Sequence, residues 1–220
     1  MKLTSNLFYY PWTDFSINNC NTYLIGNQSF ILVDPGLDRC LPGVLDEMRK
    51  DGIDPDAIHF VIATHSHPDH FEGVRSFVNK GVKIALHPDE DAFLRQHGNG
   101  FYRMFGITLP AYQAEADFGE GAREINGTAM EIYHTPGHSP GSICLHCDGL
   151  VFTGDTLFVG GVGRTDLEGG STQVLVSSIR NKLFNLPDST VVLPGHNYGD
   201  TPKSTIGLEK VHNPYVGPRA

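Results

Sequence analysis

The sequence is poor in cysteine, in positive charge and in long apolar runs, and each shortage excludes a class of protein. Its four cysteines, at positions 20, 40, 144 and 147 of 220 residues, are too few for the disulfide framework of a small secreted domain. Cys144 and Cys147 form C-L-H-C, but no second ligand pair at matching spacing accompanies them, as a structural zinc site requires. Residues three apart in a strand point to opposite faces, so we expect both thiols to be packing residues.

Basic residues are also scarce, since Lys and Arg total 16 against 25 Asp and Glu, for a formal net charge of −9. Binding to nucleic acid or to an anionic membrane relies on clustered Lys and Arg, so neither partner is expected. No run approaches the ~18 consecutive apolar residues of a transmembrane helix. The first 15 residues contain one lysine and no sustained apolar segment, unlike a secretory signal. We therefore expect a cytoplasmic protein.

What the sequence does contain is an alternation of short apolar runs with amphipathic stretches. Such runs predict strands that are buried on at least one face, with helices covering them. Asp148-Gly149, between two of the runs, is typical of a tight hairpin turn. The predicted strands are 29–34, 57–64, 83–87, 130–135, 142–147, 150–155 and 190–195, and the predicted helices are 41–52, 69–81, 89–98 and 171–187. We expect one α/β (α+β) domain over residues 1–220, built as a layered sandwich.

Two segments are less regular. Residues 99–129 are rich in Gly, Pro and aromatic residues without a clear period, which predicts either a functional lid or an additional hairpin. Residues 204–215 predict a final helix that packs near the functional site.

The motif T-H-S-H-P-D-H at 64–70 places three histidines and an aspartate directly after a predicted strand. Three later runs end in the same way, with a glycine followed by a potential ligand at His138, Asp155 and His196. Strand ends hold side chains rigidly, which suits a preorganised metal site. The histidines outside these positions are predicted to lie on the surface or at the edge of the core, namely His59, His87, His97, His134, His146 and His212.

The number of candidate ligands predicts the kind of metal site. Seven candidates exceed the four that a tetrahedral structural zinc takes, and they suit two adjacent ions bridged by a carboxylate. His and Asp ligands without thiolate are compatible with Zn, Fe or Mn. The candidates are His65, His67, Asp69, His70, His138, Asp155 and His196.

At these residues the chain resembles the metallo-β-lactamase-fold superfamily, from NCNTYLIG (19–26) and ILVDPG (31–36) to PGHNYGD (194–200). The resemblance implies a four-layer αββα sandwich of two mixed sheets flanked by helices, with the site at one edge. It implies that Asp155 bridges two ions, and that Asp34 either supports a ligand or simply forms a turn after its strand. One ion would be held by His65, His67 and His138, and the other by Asp69, His70 and His196.

Within the superfamily, Asp155 argues against the true β-lactamases, and the acidic, compact chain argues against the RNA-processing branches. The motifs resemble glyoxalase II, a thioesterase for S-acyl glutathione. The resemblance implies hydrolysis by a metal-bridging hydroxide, with Asp69 as a metal ligand and a catalytic residue that orients the hydroxide. Glyoxalase II proper has a C-terminal helical domain that holds glutathione, whereas 24 residues follow His196 here. The chain therefore resembles the compact, hydroxyacylglutathione hydrolase-like form.

The alternative resemblance is to the persulfide dioxygenases, which keep the same ligand set around a single iron. It implies that His65, His138 and Asp155 form a two-His-one-carboxylate triad with positions open for oxygen and a persulfide. That branch typically has Ala where this chain has Gly195, which favours the hydrolase.

Arg164 and Tyr198 are candidates for binding an anionic substrate, because an arginine pairs bidentately with a carboxylate and a tyrosine donates to one. For Arg164 a structural pair with Asp166 is an equal alternative, and Lys203 is predicted to be a surface lysine. We expect a small thioester or glutathione-linked substrate, and a monomer or a homodimer. A third interpretation is a metal-binding protein that has lost activity.

Overall fold

The computed structural model describes residues 2–218. Its first sheet contains β1 (Leu7–Tyr10), β2 (Thr22–Ile25), β3 (Phe30–Val33), β4 (Ile58–Ile62) and β5 (Lys83–Ala85), in that spatial order. The first three strands are antiparallel, and β3, β4 and β5 are parallel. This mixed sheet carries the strand that precedes the histidine-rich motif, so the motif leaves the sheet at one edge.

The second sheet is formed by the later part of the chain, with spatial order β13-β12-β9-β8-β7-β6. Only β12 and β9 are parallel within it. A two-stranded ribbon, β10 with β11, lies outside both sheets. The bounds are β6 (Gly121–Ile125), β7 (Thr128–His134), β8 (Ile143–Cys147), β9 (Leu150–Gly154), β10 (Leu157–Phe158), β11 (Gly161–Val162), β12 (Val191–Pro194) and β13 (Ser204–Thr205).

Three apolar layers show that the two sheets pack face to face between helices. Alternate residues of one strand face different layers: in β3, Ile31 and Val33 lie between the sheets, while Phe30 and Leu32 pack in the layer that also contains residues of the first and third helices. A third layer joins the second sheet to the fourth and fifth helices. The helices are α1 (Leu41–Lys50), α2 (Pro68–Phe71), α3 (Pro88–Met104), α4 (Thr172–Asn181) and α5 (Ile206–His212). The predicted αββα sandwich of two mixed sheets is confirmed.

Several local predictions are also confirmed. Asp148 and Gly149 both have positive φ, at 50° and 74°, as a two-residue turn between β8 and β9 requires. Cys144 packs in the outer layer and Cys147 between the sheets, because they lie on opposite faces of one strand. All four cysteines are free and buried.

The helix predicted at 69–81 is wrong in length. The structure has only α2 there, followed by a 3₁₀ turn over 72–76. Gly73 packs so closely on the backbone of Pro35 and Gly36 that a Cβ would stand 2.9 Å from the Pro35 carbonyl oxygen. This contact between segments that are distant in the sequence shapes the turn. The helical periodicity of residues 69–81 gives no sign of it.

Helix α3 is longer than predicted and extends through residue 104, because Phe101 and Tyr102 are buried in the first core layer. Of the two interpretations of residues 99–129, the hairpin is present as β6 with β7. The helix predicted at 171–187 ends instead at Asn181, before a 3₁₀ turn over 183–185. None of the helices in residues 2–218 combines the length and the apolar character needed to cross a bilayer.

Candidate metal centre

The structure brings all seven predicted ligands together at one edge of the sandwich. The segment after β4 carries the T-H-S-H-P-D-H residues, and the segments after β7, β9 and β12 carry the later three. The first sheet therefore contributes four side chains and the second sheet three. We call these seven residues the metal centre: His65, His67, Asp69, His70, His138, Asp155 and His196.

One part of the metal centre, the three-histidine group, consists of His65, His67 and His138. A donor atom from each lies within 4.8 Å of the others, and His65 Nε2 is 3.2 Å from His138 Nε2. The ring planes cross at 75–80°. Two donors at about 2.0–2.1 Å from one tetrahedral ion stand about 3.3 Å apart, so this spacing fits a shared ion.

The other part, the mixed group, consists of Asp69, His70 and His196, whose donor atoms also lie within 4.8 Å of one another. The Nε2 atoms of His70 and His196 are 3.1 Å apart. Asp69 Oδ2 stands 3.4 Å from His196 Nε2. This group offers two nitrogens and an oxygen to a second ion.

Asp155 lies between the two groups. Its Oδ1 is 3.2 Å from His70 Nε2, and its Oδ2 is 3.6 Å from His138 Nε2 and 3.5 Å from His196 Nε2. The buried Oδ1 nevertheless makes no directed hydrogen bond, and the buried His67 Nε2 also has no hydrogen-bond partner. Buried polar atoms without partners are costly, so the donor set fits bound cations better than it fits a purely structural polar cluster.

The protonation states of His65, His67 and Asp155 also suit metal binding. Burial lowers the pKa of His67 to about 3 and the pKa of His65 well below its ordinary value. Burial by itself raises the pKa of Asp155, but His196 and His70 outweigh that effect and hold the pKa well below the ordinary value. Neutral imidazole and ionised carboxylate are the forms that bind metal. Burial lowers the pKa of His70, but Cys20, Asp155 and Asp34 outweigh it and raise that pKa well above its ordinary value, so an ion bound by His70 would displace a proton.

Asp34 is the residue that orients His70. It is buried with a φ of 55°, and its Oδ2 accepts from His70 Nδ1 at 2.9 Å. The same carboxylate accepts from the Thr64 amide and hydroxyl at 2.7 and 2.9 Å. Fixing Nδ1 in this way directs Nε2 toward the metal centre. The sequence left two alternatives for Asp34, a turn residue or a support for a ligand, and Asp34 is both.

Sequence reasoning missed three further supports. Asn18 Nδ2 donates to Asp69 Oδ2 at 2.6 Å, and the Arg164 carbonyl accepts from His138 Nδ1 at 2.7 Å. Glu90 accepts hydrogen bonds from the segments around the three-histidine group. None of these residues stands in a ligand motif, and Glu90 has the same appearance in the sequence as the other acidic residues in the first turn of α3.

A cavity of about 480 Å³ opens onto the metal centre. Tyr198 lies in its wall, with its ring stacked on His196 at 4.8 Å and its hydroxyl donating to Asn18 Oδ1 at 3.3 Å. Arg164 also borders the cavity, but its guanidinium donates bidentately to Asp166 at 2.7 Å. Tyr215, just after α5, reaches the same cavity, as expected for a final helix near the site. Lys203 is exposed and does not line this cavity.

The comparison with protein families identifies the class of fold and site. The model of the metallo-beta-lactamase superfamily matches residues 17–196. This span contains all seven residues of the metal centre. The chain belongs to the metallo-β-lactamase superfamily.

Curated relatives match over most of their length. The chain is 34% identical to "Probable metallo-hydrolase YqgX" of Bacillus subtilis over 88% of this chain and 90% of that one. It is 31% identical to "Hydroxyacylglutathione hydrolase GloC" of Haemophilus influenzae over 98% of this chain and 100% of the relative. It is 29% identical to "Persulfide dioxygenase ETHE1, mitochondrial" of Mus musculus over 91% of this chain and 73% of the relative.

Solved structures also resemble this chain over most of its length. TTHA1623, crystallised in a di-iron-bound form, superposes with a TM-score of 0.76 at 31% identity, covering 94% of this chain and 99% of that one. The BLEG-1 B3 metallo-beta-lactamase superposes with a TM-score of 0.78 at 29% identity, covering 96% and 99%. The relatives thus include proteins named for three different reactions, so the family fixes the metal-binding enzyme class and leaves the substrate open.

Proposed function

We propose that this protein is a metal-dependent thioesterase that hydrolyses S-acyl glutathione-type or related thioesters with two divalent ions. The observation that carries the proposal is the position of Asp155, whose two oxygens contact histidines of both ligand groups. A carboxylate in that place is suited to bridging two ions. The likeness to GloC over nearly the full length of both chains supports the substrate class.

The chemistry divides between the ions and the chain. Bound divalent ions, whether Zn, Fe or Mn, would supply Lewis acidity to water and to the thioester carbonyl. Asp69 borders the cavity, and its carboxylate is held by the Asn18 amide. It is therefore placed to orient the attacking water and to accept its proton. The thiolate leaving group needs no strong general acid.

The cavity wall supplies the substrate contacts. We propose that Tyr198 donates its hydroxyl to the substrate, supported by its place over His196. We also propose that Arg164 supplies the positive charge for a substrate carboxylate. That carboxylate would compete with Asp166, which the Arg164 guanidinium already binds. The four free cysteines support a reducing, cytoplasmic location.

A second candidate function is oxygenation of a persulfide at one iron. His138 Nε2 lies close to both His65 Nε2 and Asp155 Oδ2, which is compatible with a two-His-one-carboxylate triad. Against it, a Cβ on Gly195 would stand 2.5 Å from Asp155 Oδ1 and 2.7 Å from His70 Cε1. The glycine leaves room for His70 of the mixed group and for the Asp155 carboxylate beside it, which favours two ions.

The test combines metal content with a substrate panel. Protein produced with zinc and iron both supplied is assayed on S-lactoylglutathione, on a second thioester, on a β-lactam, and on glutathione persulfide with oxygen uptake. We expect close to two ions per chain and thioester cleavage. One iron per chain with oxygen uptake and no thioesterase activity would establish the dioxygenase, and bound metal without turnover on any substrate would identify a binding protein.

A further inference from the structure

Glu90 is a buried carboxylate that the proposed chemistry does not use. It lies in the first turn of α3 between Asp89 and Asp91, yet it is 0% exposed while the Asp89 side chain is 59% exposed. Burying a carboxylate is costly unless its oxygens are fully hydrogen-bonded. Its partners therefore indicate what the burial achieves.

Each oxygen of Glu90 binds a different ligand-bearing segment. Oε1 accepts from the Ser66 amide at 2.8 Å and from the Ser66 hydroxyl at 2.6 Å, and Ser66 stands between His65 and His67. Oε2 accepts from the Ser139 hydroxyl at 2.8 Å and from the Gly141 amide at 2.7 Å. Ser139 directly follows His138, so one carboxylate joins the two segments that carry the three-histidine group.

Helix α3 holds the first segment from a second side as well. The Tyr102 hydroxyl, fully buried, donates to the Ser66 carbonyl oxygen at 2.8 Å. Both the amide and the carbonyl of Ser66 are thus bound to side chains of one helix. The peptide between two predicted ligands is therefore fixed relative to α3.

The second segment reaches α3 only because residue 141 is glycine. A Cβ there would lie 2.3 Å from the Glu90 amide nitrogen and 2.5 Å from its Cβ. This close approach brings the Gly141 amide within hydrogen-bond distance of the carboxylate. The contact is specific to the backbone path of the segment and does not depend on a ligand side chain.

We propose that Glu90 is a positioning residue that sets the spacing of His65 against His138, and thereby the metal affinity of the three-histidine group alone. The mixed group has its own support, Asp34, which binds His70 directly. The inference rests on the proposed metal centre, because it concerns the affinity of one of its two ions. It gives the three-histidine group a support on α3, whereas Asp34 binds His70 directly and reaches His65 only through the Thr64 hydroxyl.

The experiment measures metal affinity in backgrounds that isolate each group. His196→Ala removes a ligand of the mixed group, and His67→Ala removes a ligand of the three-histidine group. Glu90→Gln is added to each background, and the metal-free proteins are titrated with Co²⁺ while the visible spectrum is recorded. Glutamine keeps the size of Glu90, but its amide nitrogen turns a donor toward the donors of one segment.

We expect Glu90→Gln to weaken Co²⁺ binding about 10–100-fold in the His196→Ala background, as outer partners of metal ligands do, and to change the spectrum there. In the His67→Ala background the affinity should be unchanged. The matched control is Glu209→Gln, since Glu209 is also buried and accepts from two neutral donors, the Gly160 amide and Asn213 Nδ2. It should leave both affinities unchanged.

The outcomes separate the inference from the proposed function. Equal weakening in both backgrounds, or the same loss with Glu209→Gln, would show a general structural role and overturn the inference. Wild-type affinity with Glu90→Gln would overturn it too, while leaving the metal centre intact. Absence of metal binding by the wild-type protein would instead overturn the proposed function. If Glu90→Gln fails to fold, Ser139→Ala removes one of the four hydrogen bonds and should give a smaller loss confined to the same background.

Discussion

Two histidine clusters in this protein differ in the orientation of their rings rather than in their proximity. In the metal centre, the five neighbouring histidine ring pairs cross at 48–80°. In the second cluster, His87 and His134 stack at 3.8 Å with planes 13° apart. With Asp89, this pair also places three donor atoms within 4.8 Å. Closeness of donors therefore does not distinguish a metal site from a packed pair.

The ring orientation follows from what each imidazole binds. His70 and His138 are held through Nδ1 by Asp34 and by the Arg164 carbonyl, which directs their Nε2 atoms toward the centre. In the stacked pair, His134 Nε2 contacts the Pro140 carbonyl at 2.9 Å, and His87 Nδ1 accepts from the Asp89 amide at the start of α3. Parallel rings carry parallel lone pairs, so one ion cannot meet both nitrogens in their planes. We infer that the stacked pair is structural.

Removing the Asp155 carboxylate should have the largest effect on metal content, because only the first of the two histidine clusters is expected to bind ions. Asp155→Ala takes away the group that contacts both halves of the metal centre, so we expect metal content to fall from close to two ions to below one. Thioesterase activity should fall with it, by more than the roughly 10–100-fold that outer partners cost. Metal analysis and kcat/KM measure the two losses, and retained metal with full turnover would contradict the bridging role.

Removing the support of one ligand should have an intermediate effect. Asp34→Ala frees His70 Nδ1 and leaves the Thr64 amide without its acceptor. We expect metal affinity of the mixed group to fall about 10–100-fold and the three-histidine group to keep its ion. Titration of the metal-free variant checks this, and two ions bound with unchanged affinity would show that His70 needs no outer partner.

Filling the space between ligands should have a smaller effect. Gly195→Ala places a methyl against Asp155 and His70, and overpacking of this kind costs about 1–3 kcal/mol. We expect roughly a tenfold loss of affinity at the mixed group, since 1.4 kcal/mol corresponds to a factor of ten. Gly43→Ala, where a Cβ meets nothing within 4 Å, is the matched control. Equal metal content and affinity in both variants would remove the steric argument for two ions.

Replacing a histidine of the stacked pair should have the smallest effect on metal content, namely none. Burial, followed by the neighbouring His134, lowers the pKa of His87 to about 4. A neutral buried histidine stabilises the fold above its unfolded pKa, near 6.5, and that contribution is lost as the pH falls toward 4. His87→Phe keeps the stack without the titration, so it should lose about 1–2 kcal/mol less stability than wild type over this range. Denaturation at both pH values measures this, and a change in metal content would contradict the structural assignment.

The ligands could be predicted from the sequence because each follows an apolar strand at a short, fixed interval. The same local signal predicted the central strands of both sheets and the Asp148-Gly149 turn, but not β1, β2, β6 or the short strands β10, β11 and β13. What could not be predicted depends on contacts between distant segments. Glu90, Asn18 and the short helix at 68–71 acquire their roles only when α3, the N-terminal segment and the Pro35–Gly36 turn pack against the histidine motif. For Arg164 the sequence left substrate binding and a pair with Asp166 as equal alternatives, and in the structure its guanidinium pairs with Asp166.

The division of the metal centre between the sheets has a consequence for folding. The first sheet contributes four of its side chains and the second sheet three, so neither half of the chain holds a complete site for both ions. Ions bound across the gap would act as non-covalent cross-links between segments as far apart in the chain as His70 and His196. By linkage, the free energy of unfolding should then rise with free metal concentration as RT ln(1 + [L]/Kd). A chelator should weaken the packing of one sheet against the other before it disturbs either sheet.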